Sequence, residues 1–457
     1  MKAPHALTAA GLGTLLTLIS FTAPLATVNS TAAGLGADTA GKTWILSSMS
    51  IGLGAVLLST GTISDDYGRR RTFQIGLITL AVASVVCALA PNTLVFVLAR
   101  VLQGVGGAAV IASSLAIIAH AYPAGPSRAA ASGVWGASVG AGIAIGPLLS
   151  AGLDRALSWR DVYWFLFAAA LIVAVASQYL VEESRTETTR KLDLYGTVLL
   201  AAGMSALLAA LVEGRQGWVS ADVIGLAVGA VVLLTAFVVV EYRSDSAMLD
   251  PALFQRKPFV GATTAALATG AGIIASMSYL PGFVVVALDI SALHAAFLLL
   301  LWSGTSVATA LLARRIPPTV TGQVQLAIGL LGVGVGQLML FGIDDSSTWT
   351  RFVPGLLVAG VASGVLNAAL GREAVASVPA GRGGMGSGAN NTARYVGSAV
   401  GVTVVAVIAS RSGFDGWNHA ALVTATISVL GAAVVFLLQR ARVDQDESAS
   451  VTTTSAR

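Results

Sequence analysis

Residues 61–71 read Gly61-Thr-Ile-Ser-Asp-Asp-Tyr-Gly-Arg-Arg-Arg71, a charged segment punctuated by glycine that lies between two long apolar stretches. Three consecutive arginines beside apolar helix ends would be poorly placed in a soluble core. They suit a short loop at a membrane surface, because loops rich in Lys and Arg stay on the cytoplasmic side and orient the spans around them. This segment therefore predicts a membrane protein with a short cytoplasmic loop here.

The composition agrees with a membrane location. Hydrophobic residues make up 55% of the 457 residues and charged residues 11%, with a mean hydropathy of +0.82, whereas soluble proteins have roughly 25% charged residues. The single cysteine, Cys87, excludes an intramolecular disulfide. The net charge of +4 is spread over short loops rather than gathered on one face. We therefore expect the lipid bilayer, and no nucleic acid, as a partner.

Apolar stretches of about 20 residues, long enough to cross a bilayer, occur along the whole chain. The fourteen predicted spans are 7–31, 43–62, 73–91, 94–120, 129–153, 162–181, 194–212, 223–241, 259–287, 292–313, 323–343, 352–372, 386–410 and 419–439. An even number places both termini on one side. With the termini inside, the inner loops hold three times as many Lys and Arg residues as the outer loops, which predicts cytoplasmic termini.

Two further points concern location. The Ala-, Gly- and Val-rich composition favours a bacterial source, and hence a multi-pass protein of the bacterial inner (plasma) membrane. The alternative for the first span is a cleaved signal peptide, since Lys2 precedes an apolar run. Its removal would leave thirteen spans and break the charge alternation.

The spans divide into six, two and six. Polar segments near residues 181–191 and 241–257 bracket the seventh and eighth spans. The predicted domains are an N-terminal six-helix bundle (1–181), a linker with a transmembrane hairpin (182–257, hairpin about 194–241), a C-terminal six-helix bundle (258–440) and a cytoplasmic tail (441–457). The tail is rich in Ser, Thr and acids and is predicted to be disordered.

This all-α polytopic organisation resembles the fourteen-span drug:proton antiporter branch of the major facilitator superfamily, from about residue 10 to residue 440. The loop repeats the family order of Gly, Asp, Gly and a basic cluster, and the resemblance implies a gating loop that latches two bundles together. The predicted gating residues are Gly61, Asp65, Gly68, Arg69, Arg70 and Arg71. Asp66 stands where the family usually has a base, which predicts a weaker latch. The alternative is a loop that only sets the topology.

A second motif of the family lies in the fifth span. Gly133, Gly142, Gly146 and Pro147 repeat the spacing of the antiporter motif, although that motif normally ends in Gly-Gly. Small residues allow close helix packing, and proline removes a backbone hydrogen bond and permits a bend. The resemblance implies a seal against leak during exchange and favours export over import.

Arg100 lies in the fourth span, three residues before Gln103. A guanidinium at membrane depth is energetically unfavourable, so it should face the bundle interior and meet polar partners. The family pattern carries an arginine here, and the resemblance implies a role in proton transfer. The alternative is an arginine that snorkels to the outer interface.

The usual proton carrier of the family is absent. Relatives usually have an Asp in the first span, five residues before an asparagine that would match Asn29, and this chain has Pro24 there. All 22 Asp and Glu residues fall in or beside loops. Carboxylates in a low-dielectric cavity are suitable carriers because burial raises their pKa. We expect proton coupling through Arg100 and an acid at a span end, Glu213 or Glu373.

The lack of an acid within the spans also removes the attraction for a lipophilic cation. We therefore expect a neutral or anionic amphipathic substrate, such as an antibiotic or secondary metabolite. The predicted substrate path comprises Asn29, Gln103, Asn367, Asn390, Asn391 and Arg394. Aromatic residues near span ends either stack on the substrate or anchor the protein at the membrane interface; they include Trp44, Trp135, Trp164, Tyr279, Trp302 and Tyr395.

The expected function is secondary active export of small amphipathic compounds, as in drug or antibiotic efflux, by proton antiport and alternating access. The alternatives are an uncoupled facilitated-diffusion exporter of a metabolite and a non-transporting membrane sensor with the same fold. No set of nucleophile, base and orienting group stands out, and no metal-ligand spacing. We therefore expect no enzymatic activity, catalytic residue, metal or cofactor beyond a proton gradient, and a functional monomer.

Overall fold

The computed structural model describes residues 3–187, 193–215, 217–244, 247–317, 319–409 and 413–455. Within these ranges all regular secondary structure is helical, and thirteen helices are long and apolar enough to cross a membrane. Gly322–Leu338 is a shorter apolar helix. Together they match the fourteen predicted spans one to one, which confirms the predicted all-helical membrane fold.

The N-terminal bundle contains seven helices because its first span is broken. They are α1 (Ala3–Thr22), α2 (Pro24–Leu35), α3 (Thr39–Tyr67), α4 (Arg69–Leu89), α5 (Thr93–Ala121), α6 (Pro126–Ala156) and α7 (Asp161–Leu180). The span predicted for residues 7–31 is interrupted at Ala23, where α1 ends and α2 begins, although the backbone of Ala23 stays in the α-helical region. Pro24 has no amide hydrogen and therefore cannot continue the hydrogen-bond ladder of α1.

A helical hairpin and the C-terminal bundle follow. They comprise α8 (Leu194–Glu213), α9 (Ala221–Arg243), α10 (Lys257–Ala268), α11 (Ala275–Ala287), α12 (Ala292–Leu312), α13 (Gly322–Leu338), α14 (Val353–Ala376), α15 (Gly383–Ala409) and α16 (Gly413–Ser455). A π-helical turn, Thr269–Ile274, joins α10 and α11 into one crossing. Helix α16 also extends into residues 441–457, which were predicted to be disordered, because no glycine or proline interrupts the chain after Gln439.

Short polar side chains define several helix starts. Asp38 and Asn92 each accept a hydrogen bond from the backbone amide three residues later, at 2.7 Å and 3.0 Å, and so cap α3 and α5. Ser291 caps α12 in the same way, at 3.3 Å. These caps set the turns on one face of the molecule. The chain termini and the turns at Gly68 and Gly381 lie on the other face, which we call the terminal face.

Each bundle has its own apolar core, and the hairpin covers the seam between them. Met204 and Leu200 of α8 pack in one buried cluster with Leu58 of α3 and with Met385 and Ala389 of α15. Helix α9 lies outside α8 and is mostly exposed, as a helix in contact with lipid should be. The hairpin therefore contacts both bundles while leaving the interface between their other faces uncovered.

Candidate functional site

The gating loop joins α3 and α4 through Gly68, whose φ of +126° few other residues adopt. The Glu183 carboxylate accepts hydrogen bonds from the backbone amides of Arg70 and Arg71, at 3.1 Å and 3.0 Å. An acid at this position satisfies free amides at the start of α4 and interacts favourably with the helix dipole. Arg71 points into solvent, so the three arginines of the motif have different environments.

Asp65 and Arg69 form a buried pair that also holds the C-terminal bundle. The Asp65 carboxylate accepts from Arg69 Nη2 at 3.1 Å and from the backbone amide of Met385 in α15 at 2.9 Å. Arg69 Nη2 in turn donates to the carbonyl of Gly381 at 2.7 Å. Both side chains are almost fully buried. The pair therefore connects the two bundles at the terminal face, in the way that the gating-loop resemblance implies.

Asp66 makes a second link between the bundles. Its carboxylate accepts from Arg382 Nη1 at 2.6 Å, and both side chains are buried. Asp66 therefore has a buried basic partner, and the weaker latch expected from its position stays a prediction. The base that the family usually places at this position is supplied instead by Arg382, from the turn that precedes α15. The partner is 316 residues away in the chain, so the sequence motif alone could not identify it.

Backbone-to-backbone packing closes the same half of the interface. A Cβ added at Gly61 would lie 2.1 Å from the carbonyl oxygen of Gly384, and one at Gly388 would lie 2.5 Å from that of Leu57. Helix α6 also packs against the C-terminal bundle, since a Cβ at Gly136 would lie 3.0 Å from the amide nitrogen of Ala368. Contacts this short leave no space for water between the bundles. The terminal half of the interface is thus sealed.

The antiporter motif divides between two interfaces. A Cβ at Gly133 would lie 2.7 Å from the carbonyl oxygen of Ala310 in the C-terminal bundle. Gly142 and Gly146 instead pack against α1 of their own bundle, where added Cβ atoms would meet Leu18 and Thr22. Pro147 lies inside α6. Only the first glycine of the motif therefore touches the other bundle.

Arg100 is fully buried and its guanidinium binds the break in the first span. Its Nη1 donates to the Ser20 carbonyl at 2.7 Å and to Gln103 Oε1 at 2.8 Å, and its Nη2 donates to the Phe21 carbonyl at 3.3 Å. The Ser20 carbonyl is free because Pro24, four residues later, has no amide hydrogen. The interior position predicted for Arg100 is confirmed, and the snorkelling alternative is wrong. Main-chain dipoles, rather than a carboxylate, compensate its charge.

A cavity lies between the two bundles, beyond the sealed half. It contains about 980 Å³ of space that no protein atom fills, including the part open to solvent. Helices α1, α2, α5 and α6 line one side, and the π-helical turn, α11, α12, α14 and α15 line the other. Its wall is mainly apolar, with a few serine, threonine and asparagine side chains. This mixture of apolar and polar groups suits a small amphipathic molecule.

The structure brings half of the predicted substrate path together at this cavity. Asn367, Asn391 and Arg394 line it. Asn29 is exposed on the face opposite the termini, where Lys42 Nζ donates to its Oδ1 at 3.0 Å. The other two lie outside the wall: Gln103 Nε2 donates to Ser84 at 2.8 Å, and Asn390 Nδ2 donates to the Ala262 carbonyl at 2.9 Å.

Three of the aromatic residues also line the cavity rather than a membrane interface. Trp135, Trp302 and Tyr395 are each less than a tenth exposed. The two indole Nε1 atoms donate to Ser114 and Ser363, each at 2.9 Å, which fixes the rings in place. For these three residues, interface anchoring is wrong, because bundle packing carries them to the interior.

The acids predicted to couple protons lie away from the cavity and from Arg100. Glu373 is near the terminal face, where Gln323 Nε2 donates to its carboxylate at 3.0 Å. Glu213 is at the other end of the molecule, in the turn of the hairpin, and accepts a hydrogen bond from Trp44 Nε1. The structure therefore does not bring Arg100, Glu213 and Glu373 together, and their coupling role stays a prediction.

The hairpin turn reaches across the seam beside the cavity. Arg215 Nη1 lies 3.4 Å from Ser47 Oγ of α3, and its Nε lies 3.4 Å from Thr403 Oγ1 of α15. Burial lowers the pKa of Arg215 to about 10, so the guanidinium remains charged near neutral pH. Sequence reasoning missed this contact, as it missed Arg382 and Glu183, because all three depend on packing between distant segments.

One missed contact did have a sequence signal. Pro24 predicts a helix break and a free carbonyl four residues earlier, and Arg100 is a buried donor in need of acceptors. Together they point to the bond between Arg100 and Ser20. In the described part of the chain, no cluster of three or more His, Cys, Asp or Glu side chains could hold a metal ion.

Comparison with known proteins agrees with this architecture. Residues 10–402 match the family model described as Major Facilitator Superfamily. The chain is 30% identical over 367 residues to "Multidrug resistance protein Stp" of Mycobacterium tuberculosis, covering 80% of this chain and 68% of that protein. It is 28% identical over 411 residues to "Puromycin resistance protein pur8" of Streptomyces alboniger, covering 88% and 82% respectively.

Solved structures share the fold at lower identity. The human organic anion transporter MFSD10 (TETRAN) superimposes with a TM-score of 0.69 at 19% identity, covering 95% of this chain and 100% of that one. The proton:xylose symporter XylE gives a TM-score of 0.71 at 16% identity, covering 95% of each chain. The match to the family model over most of the sequence decides the assignment. This chain belongs to the major facilitator superfamily and is a membrane transporter, not an enzyme.

Proposed function

We propose that the protein exports small amphipathic organic compounds, antibiotics among them, across a bacterial plasma membrane by alternating access driven by proton antiport. The observation that carries the proposal is the cavity between the bundles, which are joined on its terminal side by close backbone packing and the Asp66–Arg382 ion pair. The names of the relatives, multidrug resistance and puromycin resistance proteins, agree with efflux. In this proposal one chain suffices, because it supplies both bundles and the whole cavity wall.

The excess of Lys and Arg in the loops of the terminal face makes that face cytoplasmic in the proposal. The conformation described here is then outward-facing. To accept a substrate from the cytoplasm, the terminal half must part. This breaks the links from Asp65 to Met385, from Arg69 to Gly381 and from Asp66 to Arg382. These bonds and the glycine contacts stabilise one of the two states between which the transporter alternates.

Proton coupling is the least direct part of the proposal. Arg100, Glu213 and Glu373 are its candidate residues, and neither acid contacts the cavity. Glu213 lies in the turn that touches both bundles, and Glu373 lies near the terminal face. Proton binding and release at either acid would then affect how readily that face of the protein opens. It would not act directly on the bound substrate. Replacing both acids by Gln should then abolish export driven by a pH gradient; unchanged export would remove them from the proposal.

The second candidate function is facilitated export without ion coupling. One observation favours it: among the described residues that line the cavity, none is an Asp or a Glu, so this wall lacks a carboxylate that could carry a proton at the substrate site. Both functions predict downhill movement of the substrate. They differ only in whether a pH gradient can drive the substrate uphill.

Proteoliposomes distinguish the candidates. The purified protein is reconstituted, and the movement of anionic, neutral and cationic dyes and antibiotics is followed with and without an imposed pH gradient. Protein-free vesicles provide the blank. Antiport predicts accumulation against the concentration gradient that collapses on adding a protonophore. Movement that is only downhill would favour the facilitator, and no movement of any compound would contradict export and favour the sensor.

A further inference from the structure

We propose that Arg394 is the anchor of an anion-binding site in the cavity, and that the substrates are amphipathic organic anions such as aromatic carboxylates or sulfonates. The proposal rests on the export function above and narrows its substrate class. Sequence reasoning left neutral and anionic substrates equally open. The electrostatics of the cavity wall separate them.

Among the described residues that line the cavity, Arg394 is the only one with a charged side chain. The rest of the wall offers apolar and aromatic groups, hydroxyl groups and the amides of Asn367 and Asn391. A guanidinium keeps its positive charge in proteins. Any ligand in this cavity therefore experiences a positive field with no negative group on the wall to offset it.

The Arg394 guanidinium has neither a hydrogen-bond acceptor nor a carboxylate partner in the described part of the chain. The residue is only 7% exposed, yet no described side chain or carbonyl accepts a hydrogen bond from it. A buried charge without a counter-charge or hydrogen bonds is unfavourable and is seldom retained without a role. A ligand carboxylate or sulfonate can accept two parallel hydrogen bonds from the planar guanidinium and supply the missing charge.

The other buried arginines show that this arrangement is specific to the cavity. Arg69 and Arg382 each bind a carboxylate, and Arg100 binds two main-chain carbonyls and Gln103. All three have hydrogen-bond acceptors within the protein. Arg394 alone among these four faces the ligand space.

The remainder of the wall determines the rest of the ligand. Trp135 and Trp302, held by hydrogen bonds to serine hydroxyls, present flat apolar rings to the cavity. Phe21 packs edge-on against Tyr395 across the bundle interface, with ring centroids 5.7 Å apart. Such rings favour a planar apolar body. An anionic group on an aromatic body satisfies both the charge and the shape of the site.

A matched pair of fluorescent probes tests the proposal. 1-Anilinonaphthalene-8-sulfonate carries the anion, and N-phenyl-1-naphthylamine is the same ring system without it. Binding of each is measured with the protein in nanodiscs, after subtraction of empty nanodiscs. We expect the wild-type protein to bind the sulfonate about 10- to 100-fold more tightly than the neutral amine, as a charged hydrogen-bonding pair should give. Equal affinities would overturn the proposal without any variant being needed.

Variants locate the effect. Arg394→Gln should remove most of the preference for the sulfonate, by weakening sulfonate binding about 10-fold or more while changing binding of the amine by less than about twofold. Arg394→Lys should keep part of the preference for the sulfonate, since lysine retains the charge but not the bidentate hydrogen-bonding geometry. The control is Arg351→Gln, because Arg351 is exposed and binds only the carbonyls of Met339 and Phe341. An equal loss for both probes in Arg394→Gln would mean a structural role and would contradict the proposal.

The binding and transport measurements test the anion site and the export function separately. A preference for the sulfonate in nanodiscs without flux in proteoliposomes would keep the anion site and reject export. Flux of neutral or cationic compounds in proteoliposomes, without a preference for the sulfonate in nanodiscs, would keep export and reject the anion site.

Discussion

Among the described residues, buried charges are paired in the sealed terminal half of the bundle interface but not in the cavity beyond it. In the sealed half, Asp65 binds Arg69 and Asp66 binds Arg382, so each buried charge has its counter-charge within the protein. On the cavity wall, Arg394 has none among the described residues. The buried charges of the sealed half are therefore neutralised within the protein. The charge of Arg394 is not neutralised by any other described residue, and we propose that the substrate supplies its counter-charge.

The two regions also differ in packing. Glycines bring the backbones of α3 and α15 into contact in the sealed half, while large aromatic side chains hold the bundles apart around the cavity. Close backbone contact is rigid and has little tolerance for added atoms. An open space with fixed rings accepts ligands of several shapes.

Charge reversal at the seal should have the largest effect. Asp66→Lys places two cations together where a buried pair now stands, and breaking such a pair costs about 3–5 kcal/mol. We expect export to fall by more than about 100-fold, measured as dye efflux from proteoliposomes. The exchanged pair, Asp66→Lys with Arg382→Asp, should recover most of the activity. If the double variant is no better than either single one, the pair does not hold the seal.

Enlarging a glycine at the seal should come next. In Gly61→Leu, the new Cβ would lie 2.1 Å from the Gly384 carbonyl, so the two backbones must separate. Overpacking of this kind costs about 1–3 kcal/mol. This lowers the equilibrium ratio of the sealed state to the open state roughly 5- to 150-fold.

The population shift is measurable by labelling. A cysteine at Ser387, which is buried in the sealed half, should react faster with a thiol reagent in Gly61→Leu than in the unaltered background. Gly225→Leu is the matched control, because a Cβ there meets nothing within 4 Å. Equal labelling rates in Gly61→Leu and in the control would show that the close approach at Gly61 is not needed for closure.

Arg100 and Arg394, two of the buried arginines, should respond differently to replacement by lysine, because only Arg100 forms hydrogen bonds within the described part of the protein. Arg100→Lys loses hydrogen bonds to the Ser20 and Phe21 carbonyls and should reduce the free energy of unfolding by about 2 kcal/mol. Arg394→Lys has no such bonds to lose and should change it by less than about 0.5 kcal/mol. Denaturation in detergent, followed by circular dichroism, measures both. Equal losses in the two variants would contradict the contrast between them.

The smallest effect should come from loosening one aromatic ring of the cavity. Ser363→Ala removes the acceptor of Trp302 Nε1 and with it about 1 kcal/mol of hydrogen bonding. We expect KM for a transported dye to rise about two- to fivefold with kcat unchanged. Thr426→Ala is the control, since Thr426 is bonded only to the carbonyl of its own helix at Leu422. A fall in kcat with unchanged KM would assign Ser363 to the conformational change instead.

Much of this architecture is readable from the sequence because its signals are local. Hydropathy located the crossings, and the six-two-six grouping followed from two polar segments; a single residue, Pro24, accounts for the one broken span. The gating loop and the antiporter glycines were recognisable as short patterns. Arg100 was placed inside because a charge at membrane depth has few other stable positions.

The sequence alone therefore indicates the environment of each segment. It shows which residues cross the membrane, which residues form turns between the helices, and which charges must be buried. Only the tertiary structure decided the partners of those charges. Arg382 reaches Asp66 across 316 residues, and Arg394 faces the cavity while the neighbouring Asn390 faces α10. Burial follows from the chemistry of a residue and its neighbours in the chain, but pairing follows from helix rotation and from contacts between distant segments, which no local pattern records.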